Sequence, residues 1–300
     1  MSQHDLQSAS DRGGPRPVEP ADVLAALQLI TKGKIYNLES QWWRGMPVHP
    51  AMPQFEVLTY RTPRGVRVQG DMEMLSPANN PGDFSFMTEM IMGSAHTGTH
   101  IDALCHIVVG PDMKWHGGHS ADDHLGDFGA TRDDAATLPA MITRGVMLDI
   151  PAAFGWDECS AGFAIGPDEL QQAADRQGVE VRQGDVVLIR TGHMRHWPDT
   201  EAMQSSSLSG VSLAGATWLS ERGVIAVGAD NASLEVLPSG IEGKPMPVHQ
   251  HLLQESGIPI LEWVNPEPLA RDNVSEFTFI CLPLTVHGAT GSMIRPIAVV

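Results

Sequence analysis

Cysteine is scarce in this chain: Cys105, Cys159 and Cys281 are the only three, and no CxxC spacing links them. An odd, scattered set does not form a disulfide framework and suits a reducing compartment. Basic residues are also few, 19 Lys and Arg against 36 Asp and Glu, for a net charge of −17. Affinity for phosphate backbones and anionic membrane surfaces rests on clustered Lys and Arg, so neither nucleic acid nor a membrane is an expected partner. No run of about 18 apolar residues occurs, so no spanning helix is expected. The first residues, MSQHDLQSASDRGGPRPVEP, lack the apolar stretch of a secretory signal. Glycine-rich phosphate loops of the Walker type and a GxSxG elbow are missing as well. The expectation is a soluble, cytoplasmic protein with a small-molecule substrate.

What is present is a globular composition, 42% hydrophobic and 18% charged, in a chain long enough to bury a substantial core. Residues 1–19 are polar and rich in Gly, Pro and Ser and read as a flexible extension; residues 20–300 read as a single domain. Helical spacing is expected from Pro20 to Lys32, then a strand at Ile35–Leu38. Phe55–Tyr60 and Gly65–Gln69 read as a β-hairpin turning at Thr62-Pro63-Arg64-Gly65. Asn79-Asn80-Pro81-Gly82-Asp83 is a turn. Further on, strands and helices alternate: strands at Gly145–Ile150, Asp185–Arg190, Val224–Val227 and Phe277–Leu284, helices at Pro167–Gln177, Leu213–Arg222 and His249–Ser256. Early hairpins followed by strand–helix alternation predict an α/β protein built on a mixed sheet.

One stretch concentrates chemistry. His96-Thr97-Gly98-Thr99-His100-Ile101-Asp102-Ala103-Leu104-Cys105-His106 places three histidines and an aspartate at even positions. On extended backbone, residues of one parity share a face. A straight strand would still spread them over roughly 33 Å, too far for one ion. The segment must therefore bend, and Gly98 permits it because glycine enters positive φ freely. Two threonines flanking a glycine disfavour a helix. Neutral imidazole with carboxylate is a ligand set for a divalent ion such as zinc or manganese. Cys105, at odd parity, is expected to face the other way and pack as a small apolar group.

Other candidates are weaker on residue grounds. His249 precedes Leu252-Leu253, and Glu262 follows a Gly-Ile-Pro break; an imidazole on an apolar helix is by default a hydrogen-bonded core histidine. Trp42 and Trp43 beside Gly45 and Pro47 either line a pocket for a flat substrate, with Phe55 and Phe86, or cap the core or a subunit contact. His116, His119 and His124 read as solvated loop residues.

The motif His96-x-Gly98-Thr99-His100-x-Asp102 followed by His106 resembles the HxGTHxDxPxH signature of the metal-dependent "cyclase" family, which includes bacterial kynurenine formamidases and isatin hydrolases. Supporting matches run from about Ile35 to Pro296, among them Gly45-Met46-Pro47-Val48, Gly184–Gly192, Val227-Gly228-Ala229-Asp230 and His249–Glu262. The resemblance implies a mixed sheet wrapped toward a barrel with surrounding helices, in a homodimer or homotetramer. It also implies hydrolysis of a small amide, formamide or cyclic amide by metal-activated water. His96, His100 and Asp102 would be primary ligands, Asp102 bridging to a second ion held by His249 and Glu262, and His106 the acid/base or a further ligand. Zinc and manganese, one ion or two, both fit. A metal-dependent lyase or dehydratase and a catalytically idle metal scaffold are the alternatives. The sequence departs from the signature at Leu104, which stands where the family keeps its proline.

Overall fold

The computed structural model describes residues 13–300. Of the expected flexible extension, residues 1–12 lie outside the described residues, and Gly14 N–H donates to Asp133 Oδ1 at 2.8 Å. The main sheet has nine strands: β1 (Ile35–Asn37), β2 (His100–Asp102), β3 (Met141–Asp149), β4 (Val186–Arg190), β5 (Ala226–Ala229), β6 (Ile260–Glu262), β7 (Glu276–Cys281), β8 (Gly291–Met293) and β9 (Ile297–Val299). They are ordered β1-β9-β7-β3-β4-β5-β6-β2-β8, and the sheet curls into a half-barrel. The mixed-sheet α/β architecture expected from the sequence is the one observed.

The parallel centre comes from the strand–helix alternation. β3, β4, β5 and β6 pair in parallel, and parallel neighbours need crossovers, which helices supply. The helix Pro167–Gln177 starts with Pro at its first position and the Glu169 carboxylate accepting from Gly166 N–H. It ends where Gly178 turns left-handed, and it buries Leu170, Ala173 and Ala174 at helical spacing. Every residue of β4 is buried: Val186 and Leu188 join one core, Val187 and Ile189 the other. A strand covered on both faces reads as a continuous apolar run, which is why its sequence showed no alternation.

The expected hairpin is half right. Its first strand is present at Glu56–Arg61, but it pairs antiparallel with Thr88–Met92. Gly65–Gln69 belongs to a helix, Pro63–Gln69, not to a strand. Thr62 accepts from Gly65 N–H, Pro63 occupies the first helical position and Gly70 closes the helix left-handed. A Thr-Pro-x-Gly string is at once a turn signal and a helix N-terminus, and the cap prevails here. The resulting two-stranded arm leaves Val57, Leu58, Tyr60, Met90, Ile91 and Met92 exposed. No helix among the described residues is long and apolar enough to cross a membrane.

The topology matters for the site in one respect. β2 lies antiparallel between β6 and β8, with Glu262 opposite His100 and Gly291 opposite Asp102. Glu262, 162 residues after His100, thus lays its carboxylate beside the histidine motif.

Candidate metal centre

The bend expected at Gly98 is real: its φ is +58°, and only His100–Asp102 of the motif is strand. A Cβ at Gly98 would stand 2.9 Å from both Ser40 Oγ and Trp42 Nε1. Parity survives the bend, since Ile101, Ala103 and Cys105 all pack into one core away from the histidines. After Asp102 the chain turns again, His106 N–H donating to Ala103 O at 2.9 Å. Leu104 holds the second position of that turn, where proline is favoured. It is fully buried in the other core, so packing anchors the turn where a locked ring otherwise would.

All six expected residues come together. The His96 and His106 rings stack with centroids 4.0 Å apart, and His96 Nδ1 lies 2.7 Å from Asp102 Oδ1. His100 Nε2 stands 3.5 Å from Asp102 Oδ1 and 3.4 Å from Glu262 Oε2. His249 Nε2 is 3.2 Å from Glu262 Oε1 and 3.8 Å from Asp102 Oδ2. His96, His100, Asp102, His249 and Glu262 are buried, and His106 is half-buried. His249 sits where a short helical turn, Pro247–His249, widens into a π-helix over Gln250–Glu255, a distortion that often accompanies functional sites.

Three of the four imidazoles are oriented by a second contact. His100 Nδ1 donates to Gly98 O at 2.7 Å, freeing Nε2 to face the carboxylates. His96 Nε2 meets Thr290 Oγ1 at 2.9 Å. A Cβ at Gly291 would stand 2.7 Å from the His96 ring, so glycine is required there for the ring to fit. His249 Nδ1 lies 2.6 Å from Glu235 Oε1. Glu235 is fully buried and was missed in the sequence; a lone carboxylate in the apolar run Leu234–Leu237 was its only signal.

The electrostatics follow from crowding. Burial alone would raise the Asp102 carboxyl, but His106, His96 and His100 overcome it and hold it far below the usual range. Burial pushes the His106 imidazole down to about 4, against the pull of Asp102. Burial likewise opposes charge on His100 and His249, yet neighbouring carboxylates win. Glu262 and Asp102 raise His100, and Glu235 and Glu262 raise His249 to about 10. Glu262 is lowered, its burial outweighed by hydrogen bonds with His100 and His249.

These residues fit a divalent ion. Asp102 Oδ2 is buried and has no hydrogen-bond partner, a costly state for a carboxylate oxygen unless a cation meets it. Two ligand groups share Asp102: His96, Asp102 and His106 in one, Asp102, His249 and Glu262 in the other, with ligand atoms within 4.8 Å of one another. Ligands about 2.0–2.2 Å from one ion stand up to roughly 4.4 Å apart, so a small inward adjustment satisfies either group.

The remaining candidates lie elsewhere. Trp42 and Phe55 line an apolar cavity of about 500 Å³ with Ile91, Ile280, Leu282 and Met293. None of the six cluster residues lines it; its links to the motif are Trp42 Nε1–H, which donates to Thr97 O at 2.8 Å, and Met293, which pairs with His100 across β8 and β2. Trp43 instead packs edge-on against Trp197 at 5.5 Å, and half-buried Phe86 is not among the cavity's lining residues. In the loop after the motif, His116 bonds with Gln254 O, His119 with Asp133 and His124 with Thr131. They tie the loop down, which bare solvated residues would not.

Comparison with known proteins agrees with this picture. Residues 36–236 match the family model described as "Putative cyclase". The chain is 23% identical over 240 residues to isatin hydrolase of Roseibium aggregatum, covering 77% of this chain and 81% of that protein. Among solved structures it is similar to a novel cyclase at a TM-score of 0.80 and 25% identity, covering 99% and 97% of the two chains. It is also similar to isatin hydrolase A from Ralstonia solanacearum at 0.63 and 20%, covering 94% and 97%. The family model spans well over half of the chain, from β1 to Val236 beyond β5, with the histidine motif inside it: the chain belongs to the cyclase family.

Proposed function

We propose that this protein is a metal-dependent hydrolase that cleaves the C–N bond of a small amide, formamide or cyclic amide carrying a flat apolar group. The observation that carries the reading is Asp102, which belongs to both ligand groups and keeps one buried oxygen without a hydrogen-bond partner. His96, His100 and Asp102, with His249 and Glu262 on the far side, are the residues that would hold zinc or manganese, as one ion or two. Bound there, a divalent ion supplies acidity to water and polarises a carbonyl.

The chain's own residues do the rest. His106 is the least buried member of the cluster and the one with access to a substrate; it takes a proton from the attacking water and returns it to the departing nitrogen. His96, stacked beneath it, fixes its ring plane. The cavity lined by Trp42, Phe55 and Met293 receives the apolar part of the substrate. Similarity to isatin hydrolases, named for a cyclic amide, supports this substrate class. The exposed apolar arm of Glu56–Arg61 and Thr88–Met92 supports a homodimer or homotetramer.

The test is chelation and reloading of the purified protein, followed by assay against N-formyl anilines, isatin-like lactams and cyclic imides with product identification. The reading requires ring-opened carboxylic acids from lactams and imides, or the free aniline with formate from N-formyl anilines, lost on chelation and restored by zinc or manganese. Full turnover after chelation contradicts it, as does a product formed by loss of water with the C–N bond intact.

A further inference from the structure

The two imidazoles that face Glu262 are backed differently. His100 leans on a neutral carbonyl, Gly98 O. His249 leans on a carboxylate, and the surroundings of that carboxylate are elaborate. Glu235 Oε1 receives both His249 Nδ1 at 2.6 Å and His249 N–H at 3.1 Å, while Oε2 receives Val248 N–H at 3.2 Å. One side chain thus caps the start of the Pro247–His249 turn and aims the ring at its end. The backbone is forced to present it: Leu234 has a φ of +55°, a left-handed conformation that is strained in a non-glycine residue. Ser233 Oγ–H holds Glu235 O at 2.9 Å. A Cβ at Gly210 would stand 2.4 Å from the Glu235 carbonyl carbon, so the neighbouring strand has no side chain there. Trp263, next to Glu262, is left-handed as well at +55°. Strained backbone beside two buried glutamates of one cluster is the pattern of groups held for a task.

We propose that Glu235 is the positioning residue of the distal half of the centre, fixing His249 as the Nδ1–H tautomer with its Nε2 directed at Asp102 and Glu262. This rests on the metal-centre reading above and deepens it. A carboxylate behind a ligating imidazole sets ring orientation and raises ligand basicity. It also makes the distal half more negative than the motif half, where the imidazole backing is a carbonyl or a hydroxyl.

The experiment is zinc titration of the chelator-stripped full chain, with Glu235→Gln as the variant that keeps shape and removes charge. Wild type takes up zinc, and Glu235→Gln, with unchanged far-ultraviolet circular dichroism, binds it roughly 10–100-fold more weakly. In a His249→Ala background the same substitution has no further effect on zinc affinity. Wild-type affinity in Glu235→Gln overturns the proposal, and so does an equal loss with or without His249. Should Glu235→Gln not fold, nitrogen-15 spectra of the zinc-loaded wild type decide. His249 protonated at Nδ1 and coordinated through Nε2 supports the proposal, and coordination through Nδ1 overturns it. Failure of the wild type to bind zinc removes the metal-centre reading beneath it, which separates the two failures.

Discussion

The two halves of the centre are built by opposite strategies. The motif half, His96 to His106, is local: a bent segment gathers three imidazoles and one carboxylate, backed by Gly98 O and Thr290 Oγ1. The distal half, Glu235, His249 and Glu262, is assembled by topology. β6 lies against β2, and a strained loop brings Glu235 behind His249. The motif half is rich in imidazole and the distal half in carboxylate. Asp102 is the only side chain belonging to both ligand groups among the described residues. A cation held against Asp102 would therefore meet imidazoles on one side and an imidazole with the Glu262 carboxylate on the other, and removing a residue tests which side it belongs to.

The largest expected effect is at the shared residue. Asp102→Asn removes charge from both groups at once, so bound metal and turnover should both fall to background, measured by metal analysis and assay. Retained metal with lost turnover would show that the halves do not depend on Asp102. Next is His106→Ala. With His106 as the proton carrier, turnover drops on the order of 10²–10⁴-fold while metal content holds; a parallel loss of both makes it a ligand of the motif half.

A pH titration probes one imidazole of each half. Carboxylates raise the His100 and His249 imidazoles above their ordinary value, so in the metal-free protein they carry protons that an incoming ion must displace. Metal affinity should accordingly rise with pH across the neutral range, with proton release measurable by calorimetry in buffers of different ionisation enthalpy. Affinity independent of pH would contradict this. Smaller still, Gly291→Ala pushes a methyl into the His96 ring and the Ile101 carbonyl. It should cost about 1–3 kcal/mol of stability, read by denaturant unfolding, and weaken metal binding through His96 while leaving the His249 tautomer unchanged.

The same contrast explains what could be read from the chain. The motif half was legible because its residues are adjacent, and parity with one glycine predicts a bend that the φ of Gly98 bears out. Leu104 shows the limit: the turn is present, held by burial, which a residue-by-residue comparison with the signature does not display. The parallel centre was legible because fully buried strands read as apolar runs and Pro167 and Gly178 punctuate their helix. The second hairpin strand was misread because Thr62-Pro63 carries two meanings, and the cap contact from Gly65 N–H decides between them. In the distal half, His249 and Glu262 are weak candidates on residue grounds, and the family resemblance strengthens them. Nothing local says that Glu262 will stand opposite His100, since that register is fixed by the whole sheet. Glu235 lay hidden because its partner is 14 residues away and its role appears only when the loop is folded.

The central claim is that a divalent ion sits against Asp102 between these halves. Anomalous diffraction from crystals grown with manganese or zinc tests it most directly. The account predicts an ion peak contacting Asp102, with His96, His100 or His106 on one side or His249 and Glu262 on the other, and it predicts two peaks if both groups fill. Ordered Asp102, His249 and Glu262 with no peak between them, in a protein that hydrolyses its amide substrate, would contradict it.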